Sequence, residues 1–65
     1  MSNHALIKKT VDGSDVVKIK FDATTNTYSG QIQYRDRLTG KFQVENLIWT
    51  VSGKTRNPNK NLVLP

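Results

Sequence analysis

The sequence predicts an all-β fold, a small antiparallel sheet or barrel of about five short strands. Three observations carry that prediction. Apolar and polar residues alternate with a period of two through most of the chain, helical spacing is nearly absent, and turn-forming pairs recur roughly every 8–12 residues. A chain of 65 residues holds one domain. At that size only about 60% of the surface of the unfolded chain is buried on folding.

The first strand is expected in "HALIKKT", and "VDGS" follows with Asp12-Gly13, a strong hairpin signal. In "DVVKIKF" the residues Val17, Ile19 and Phe21 share one face, and Lys18 and Lys20 occupy the other. "DATTNT" is a looser connection whose Asp and Asn suit side-chain-to-backbone turns. In "YSGQIQYR" Tyr28, Gly30, Ile32 and Tyr34 form the inward set, with Ser29, Gln31, Gln33 and Arg35 outward. "DRLTG" then places Gly40 to take a positive φ.

The next run, "KFQVENLIWTV", opens with Phe42 and Val44 inward and Lys41, Gln43 and Glu45 outward. Leu47, Trp49 and Val51 are the better buried set further on, so the register is expected to change near Glu45-Asn46, through a bulge or a tight turn. Helix is admissible only in "VENLIW", for one or two turns. "NLVLP" reads as a closing strand ended by Pro65, after a basic surface loop or arm at 52–61. Such strands suit an SH3-like or OB-like barrel, or an open meander completed by a second subunit. With no Cys the chain has no disulfide staple, and small unstapled scaffolds lean on a partner. A homo-oligomer or a docked module is expected.

Ten Lys and Arg face five Asp and Glu, a net charge of +5. Residues 1–51 hold seven cations and five acids, net +2, whereas 52–65 hold Lys54, Arg56 and Lys60 with no acid, net +3. More than half of the excess thus falls in the last fifth of the chain. A basic footprint of this kind points to an anionic partner. No basic stretch leads into an N-terminal apolar run, and no uninterrupted apolar run exceeds three residues. Neither a secretory signal nor a membrane span is expected, and the chain reads as cytoplasmic.

The residues for catalysis are sparse. The single His, His4, stands near the N-terminus, far from any nucleophile-base arrangement. Asp12, Asp15, Asp22 and Asp36 fall at predicted strand ends, where Asp more often forms turns. "SGKT" lacks the earlier Gly that a phosphate loop requires, because Ile48 occupies that position. No enzymatic activity, cofactor or metal is expected.

The outward residues are better suited to binding nucleic acid. Lys18, Lys20, Gln31, Gln33, Arg35 and Lys41 point one way if the three strands are adjacent, with Gln43 and Glu45 beside them. Arg and Lys pair with guanine in a major groove and Gln pairs with adenine. Arg37 sits in the intervening turn, and Lys54, Arg56 and Lys60 offer phosphate contacts that give affinity without sequence information. Phe21, Phe42 and Trp49 are expected in the core, because each such burial contributes about 1.5–3 kcal/mol. The expected function is binding of nucleic acid, DNA rather than RNA. The alternative is a protein-interaction module that binds an acidic protein, such as a phage- or plasmid-type assembly subunit, adaptor or inhibitor. The stretch "YSGQIQYRDRLTGKF" is similar in architecture to the small DNA-binding sheets that precede tyrosine-recombinase catalytic domains. The likeness covers about a quarter of the chain, and the C-terminal helix of those modules has no counterpart here.

Overall fold

Two aspartates build the turns that make the sheet. The Asp22 carboxylate accepts from the Thr24 amide at 2.9 Å, and Asn26 takes the left-handed conformation at φ 57°. Asp36 does the same in the next connection, accepting from the Leu38 amide at 2.8 Å, with Gly40 at φ 74°. Such side-chain acceptors replace a backbone turn bond. The strands they join are β1 (Asp15–Asp22), β2 (Thr27–Arg35) and β3 (Phe42–Thr50). They form an open antiparallel sheet in the order β1-β2-β3. The computed structural model describes residues 6–65, so His4 and the start of the first predicted strand lie outside the described residues.

The fold is therefore all-β but not a five-stranded barrel among the described residues. The outer two of the expected strands are present only as extended segments joined by isolated bridges, Lys9 to Asp15 and Thr10 to Leu62. Segments 6–14 and 53–64 lie together across one face of the sheet as a second layer. The Val11 amide donates to the Asn61 carbonyl at 2.8 Å and the Val63 amide to the Lys9 carbonyl at 2.9 Å. Within 53–64 a 3-10 turn, Pro58–Lys60, is capped by the Asn57 side chain. No helix among the described residues is long and apolar enough to cross a membrane.

The core lies between these layers. Ile7, Ile32, Trp49 and Leu62 are buried, and Val16, Ile19, Tyr28, Tyr34 and Leu47 pack around them. Trp49 is fully enclosed, and its indole N–H donates to the Lys60 carbonyl at 2.9 Å. Such a partner is what a buried indole requires.

Two register expectations are corrected. β3 pairs with β2 without interruption from Phe42 to Thr50, so no register change occurs at Glu45-Asn46, and "VENLIW" is strand throughout. Phe42 and Val44 consequently share a face with Ile48, away from Trp49, and remain 68%, 58% and 64% exposed. Gln43 and Glu45 turn to the layered face instead. The irregularity is in β1, where the pairing shifts between Val16 and Lys18. Val17 bulges out and Val16 takes the inward place. Gly30 accommodates that bulge, because a Cβ there would stand 2.0 Å from the Lys18 carbonyl oxygen. Phe21 is also only partly enclosed, and its ring meets Tyr28 at 5.2 Å between centroids.

Candidate nucleic-acid interface

Directly opposed residues of antiparallel strands share a face, so the pairing register assigns each face row by row. On the uncovered face Lys20, Ser29 and Ile48 form one row, and Lys18, Gln31 and Asn46 the next. Gln33 beside Val44 and Arg35 beside Phe42 complete it toward the second turn. The face thus grades across the strands, with Lys18 and Lys20 between two terminal aspartates on β1, amides in the middle and mainly apolar side chains on β3. A shallow groove of about 520 Å³ runs along it, lined among others by Lys18, Lys20, Ser29, Gln31, Asn46 and Ile48.

No carboxylate stands inside this groove. The two acids on the same face, Asp15 and Asp22, occupy the ends of β1. Asp15 is paired with Lys9 at 2.5 Å, and Asp22 is engaged by Thr24. The hydrogen bonds from the Thr24 side chain and amide hold the Asp22 carboxyl below its ordinary value. Among the described residues, the side chains of Lys18, Lys20, Gln31, Gln33 and Asn46 have no hydrogen-bond or ion-pair partner. Arg35 gives its Nε–H to the Gly40 carbonyl at 2.9 Å, which orients the guanidinium and leaves its terminal nitrogens free.

Of the expected outward set, Lys18, Lys20, Gln31, Gln33 and Arg35 are brought together. Lys41 lies just before β3, and Arg37 is exposed in the second turn. Glu45 is removed to the opposite face, where it accepts from the Tyr34 hydroxyl at 3.2 Å. The negative charge expected to interrupt the basic face is therefore absent from it. Asn46, with Phe42, Val44 and Ile48, joins the face in its place. Unbroken alternation from Phe42 onward was the signal for that set.

The 52–61 segment is folded down rather than projecting throughout. Gly53 is buried, at φ 82°, against Leu62 and Leu64. The Thr55 amide donates to the Asn61 side chain at 2.9 Å. Lys60 is only 13% exposed at its side chain, pairs with Asp12 at 2.7 Å and stands 4.0 Å from the centroid of the Tyr34 ring. Its charge is consumed within the fold, whereas Lys54 and Arg56 are exposed and unpaired.

A second groove, of about 590 Å³, is lined by Asp12, Asp15 and Asp36 against Arg35, Arg37 and Lys60. Equal numbers of the two signs neutralise one another there, so it offers an anion little. Among the described residues no three His, Cys, Asp or Glu side chains are grouped as metal ligands would be. Comparison with protein-family models, with curated proteins and with solved structures finds no match to this chain.

Proposed function

We propose that the protein binds nucleic acid through the uncovered face of its sheet, with duplex DNA as the favoured ligand. The observation that carries this reading is the row of unpartnered cationic and amide side chains, Lys18, Lys20, Gln31 and Gln33, beside Arg35, on a face whose two acids, Asp15 and Asp22, are already engaged by Lys9 and Thr24. Lys18 and Lys20 contact phosphates from the margin of the sheet. Gln31, Gln33 and Asn46 present paired donors and acceptors suited to base edges, adenine in particular. The free nitrogens of Arg35 suit guanine or a phosphate. Lys54 and Arg56 add phosphate contacts beyond the end of β3. Sheet faces are an established way of reading a groove.

If Lys18, Lys20, Arg35, Lys54 and Arg56 each neutralise one phosphate, log K falls against log salt with a slope near −4.5, at roughly −0.9 per contact. Replacing Lys18, Lys20 and Arg35 with Ala reduces the slope to about −1.8, and replacing Lys60 leaves it unchanged. Titration of short duplex DNA, single-stranded DNA and RNA at two salt concentrations measures this. Absence of binding at about 50 mM salt, or binding that ignores salt, removes the proposal.

The exposed side chains of Phe42, Val44 and Ile48 favour a second reading, in which the same face seats an acidic protein. In that case the cations steer association and the apolar strand supplies the contact. The same titration separates the readings, because only the first gives a nucleic-acid complex.

A further inference from the structure

The two margins of the sheet are built differently. β1 carries a bulge at Val17 and two lysines, the devices by which edge strands avoid pairing with another chain. β3 carries none of them. It is nine residues long and regular, it has no Lys, Arg or Pro, and its one charged residue, Glu45, faces the covered layer. Near its end the outward backbone groups are taken. The Thr50 amide donates to the Lys54 carbonyl at 2.9 Å, and the Ile48 carbonyl accepts from the Thr55 hydroxyl at 2.8 Å. Backbone groups alternate in direction along an antiparallel strand, so those of Phe42, Val44 and Asn46 also point outward, and among the described residues no further segment pairs with them.

We infer that β3 pairs with β3 of a second copy, antiparallel across a twofold axis at Val44, to form a continuous six-stranded sheet. Charge selects this arrangement. The lysines of β1 then occupy opposite margins, about 24 Å apart at five interstrand spacings, well beyond the ~8 Å screening length. Pairing through β1 would instead bring them together. Register is selected as well. An axis at Glu45 would set that carboxylate opposite its own copy, an unfavourable like-charge pair. An axis at Val44 sets Gln43 opposite Glu45 of the second copy, amide against carboxylate, and packs Val44 on Val44. Only residues 42–47 are open to pair, so the contact is small and the dimer weak, with Kd about micromolar or above. The inference stands independently of the nucleic-acid reading.

Sedimentation equilibrium in the absence of nucleic acid, from about 10 μM to 1 mM, tests it. The mass is expected to rise with concentration from 7.4 kDa toward twice that value. Val44→Lys, a change at an exposed position, is expected to remain monomeric with an unchanged circular dichroism spectrum. The chain has no Cys, so Val44→Cys provides a register probe. Across the axis its Cα atoms lie about 5.5 Å apart, within disulfide reach. Cross-linking is expected to be at least about tenfold faster than for Leu38→Cys, whose site lies in the exposed second turn far from the axis. A wild-type chain that stays monomeric at the highest concentration overturns the inference, whatever else the edge binds. So does Val44→Lys dimerising like wild type, or equal cross-linking of the two cysteine variants.

Discussion

Lys60 shows how one residue can be claimed by stability rather than by a ligand. Its ammonium bridges Asp12 and the Ser14 hydroxyl, at 2.7 and 3.0 Å, and covers Tyr34. Burial works against the charge of Asp12, yet hydrogen bonds from Lys60, Thr10 and Ser14 outweigh it and hold the carboxyl well below its ordinary 3.8. A carboxylate with a lowered folded-state value contributes stability above its unfolded value, and that contribution is lost as pH falls. Stability is therefore expected to decline below about pH 4. Asp12→Asn should cost about 1–2 kcal/mol at neutral pH and give a flatter acid limb. Urea unfolding at pH 7 and pH 3 checks both, and parallel curves for the two proteins would deny Asp12 this role. Tyr34 titrates in the other direction, raised first by burial and then by the charge and hydrogen bond of Glu45.

At the scale of the element, β1 and β3 divide the sheet's two faces differently from what alternation alone suggests. In "VVKIKF" strict alternation assigns Val17 to the core with Ile19 and Phe21, and the bulge opposite Gly30 gives that place to Val16 instead. In β3, Phe42 and Val44 are apolar yet bare, because the strand continues straight to Trp49 and their side lies away from the terminal segments. Phe42→Ser should therefore change stability by no more than about 0.5 kcal/mol, against about 3–5 kcal/mol for a core aromatic such as Trp49→Ala. The same Phe42→Ser variant should weaken ligand binding if the face is the interface. Chemical denaturation paired with the nucleic-acid titration reads both effects. A large loss of stability would place Phe42 in the core after all.

For the whole molecule, the second layer is supplied by chain ends rather than by further regular elements. Leu62 fills the core, the Lys60 carbonyl receives the Trp49 indole, and the Thr10–Leu62 bridge ties the two terminal segments together. A three-stranded sheet with one covered face has little margin, since small domains are only marginally stable. Truncation after Asn57 should therefore unfold the chain rather than merely remove a basic arm. Trp49 is the only tryptophan, so its emission reports the change directly. A red shift to the solvent-exposed value is expected, and an unshifted spectrum would show that the sheet holds its core without the tail.

The three central strands, the turns between them and the polar-cationic character of one face were legible from residue order, since alternation and turn-forming aspartates act over a few neighbours, whereas the expected first and closing strands are present only as bridged segments. The outward grouping of Lys18, Lys20, Gln31, Gln33 and Arg35 was legible for the same reason. Three features were not: the side of β3 that is covered, the withdrawal of Glu45 from the basic face, and the capture of Lys60 by Asp12. Each depends on where the terminal segments lie across the sheet. Asp12 and Lys60 are 48 positions apart, and no local pattern encodes a contact whose free energy arises only once both layers have closed.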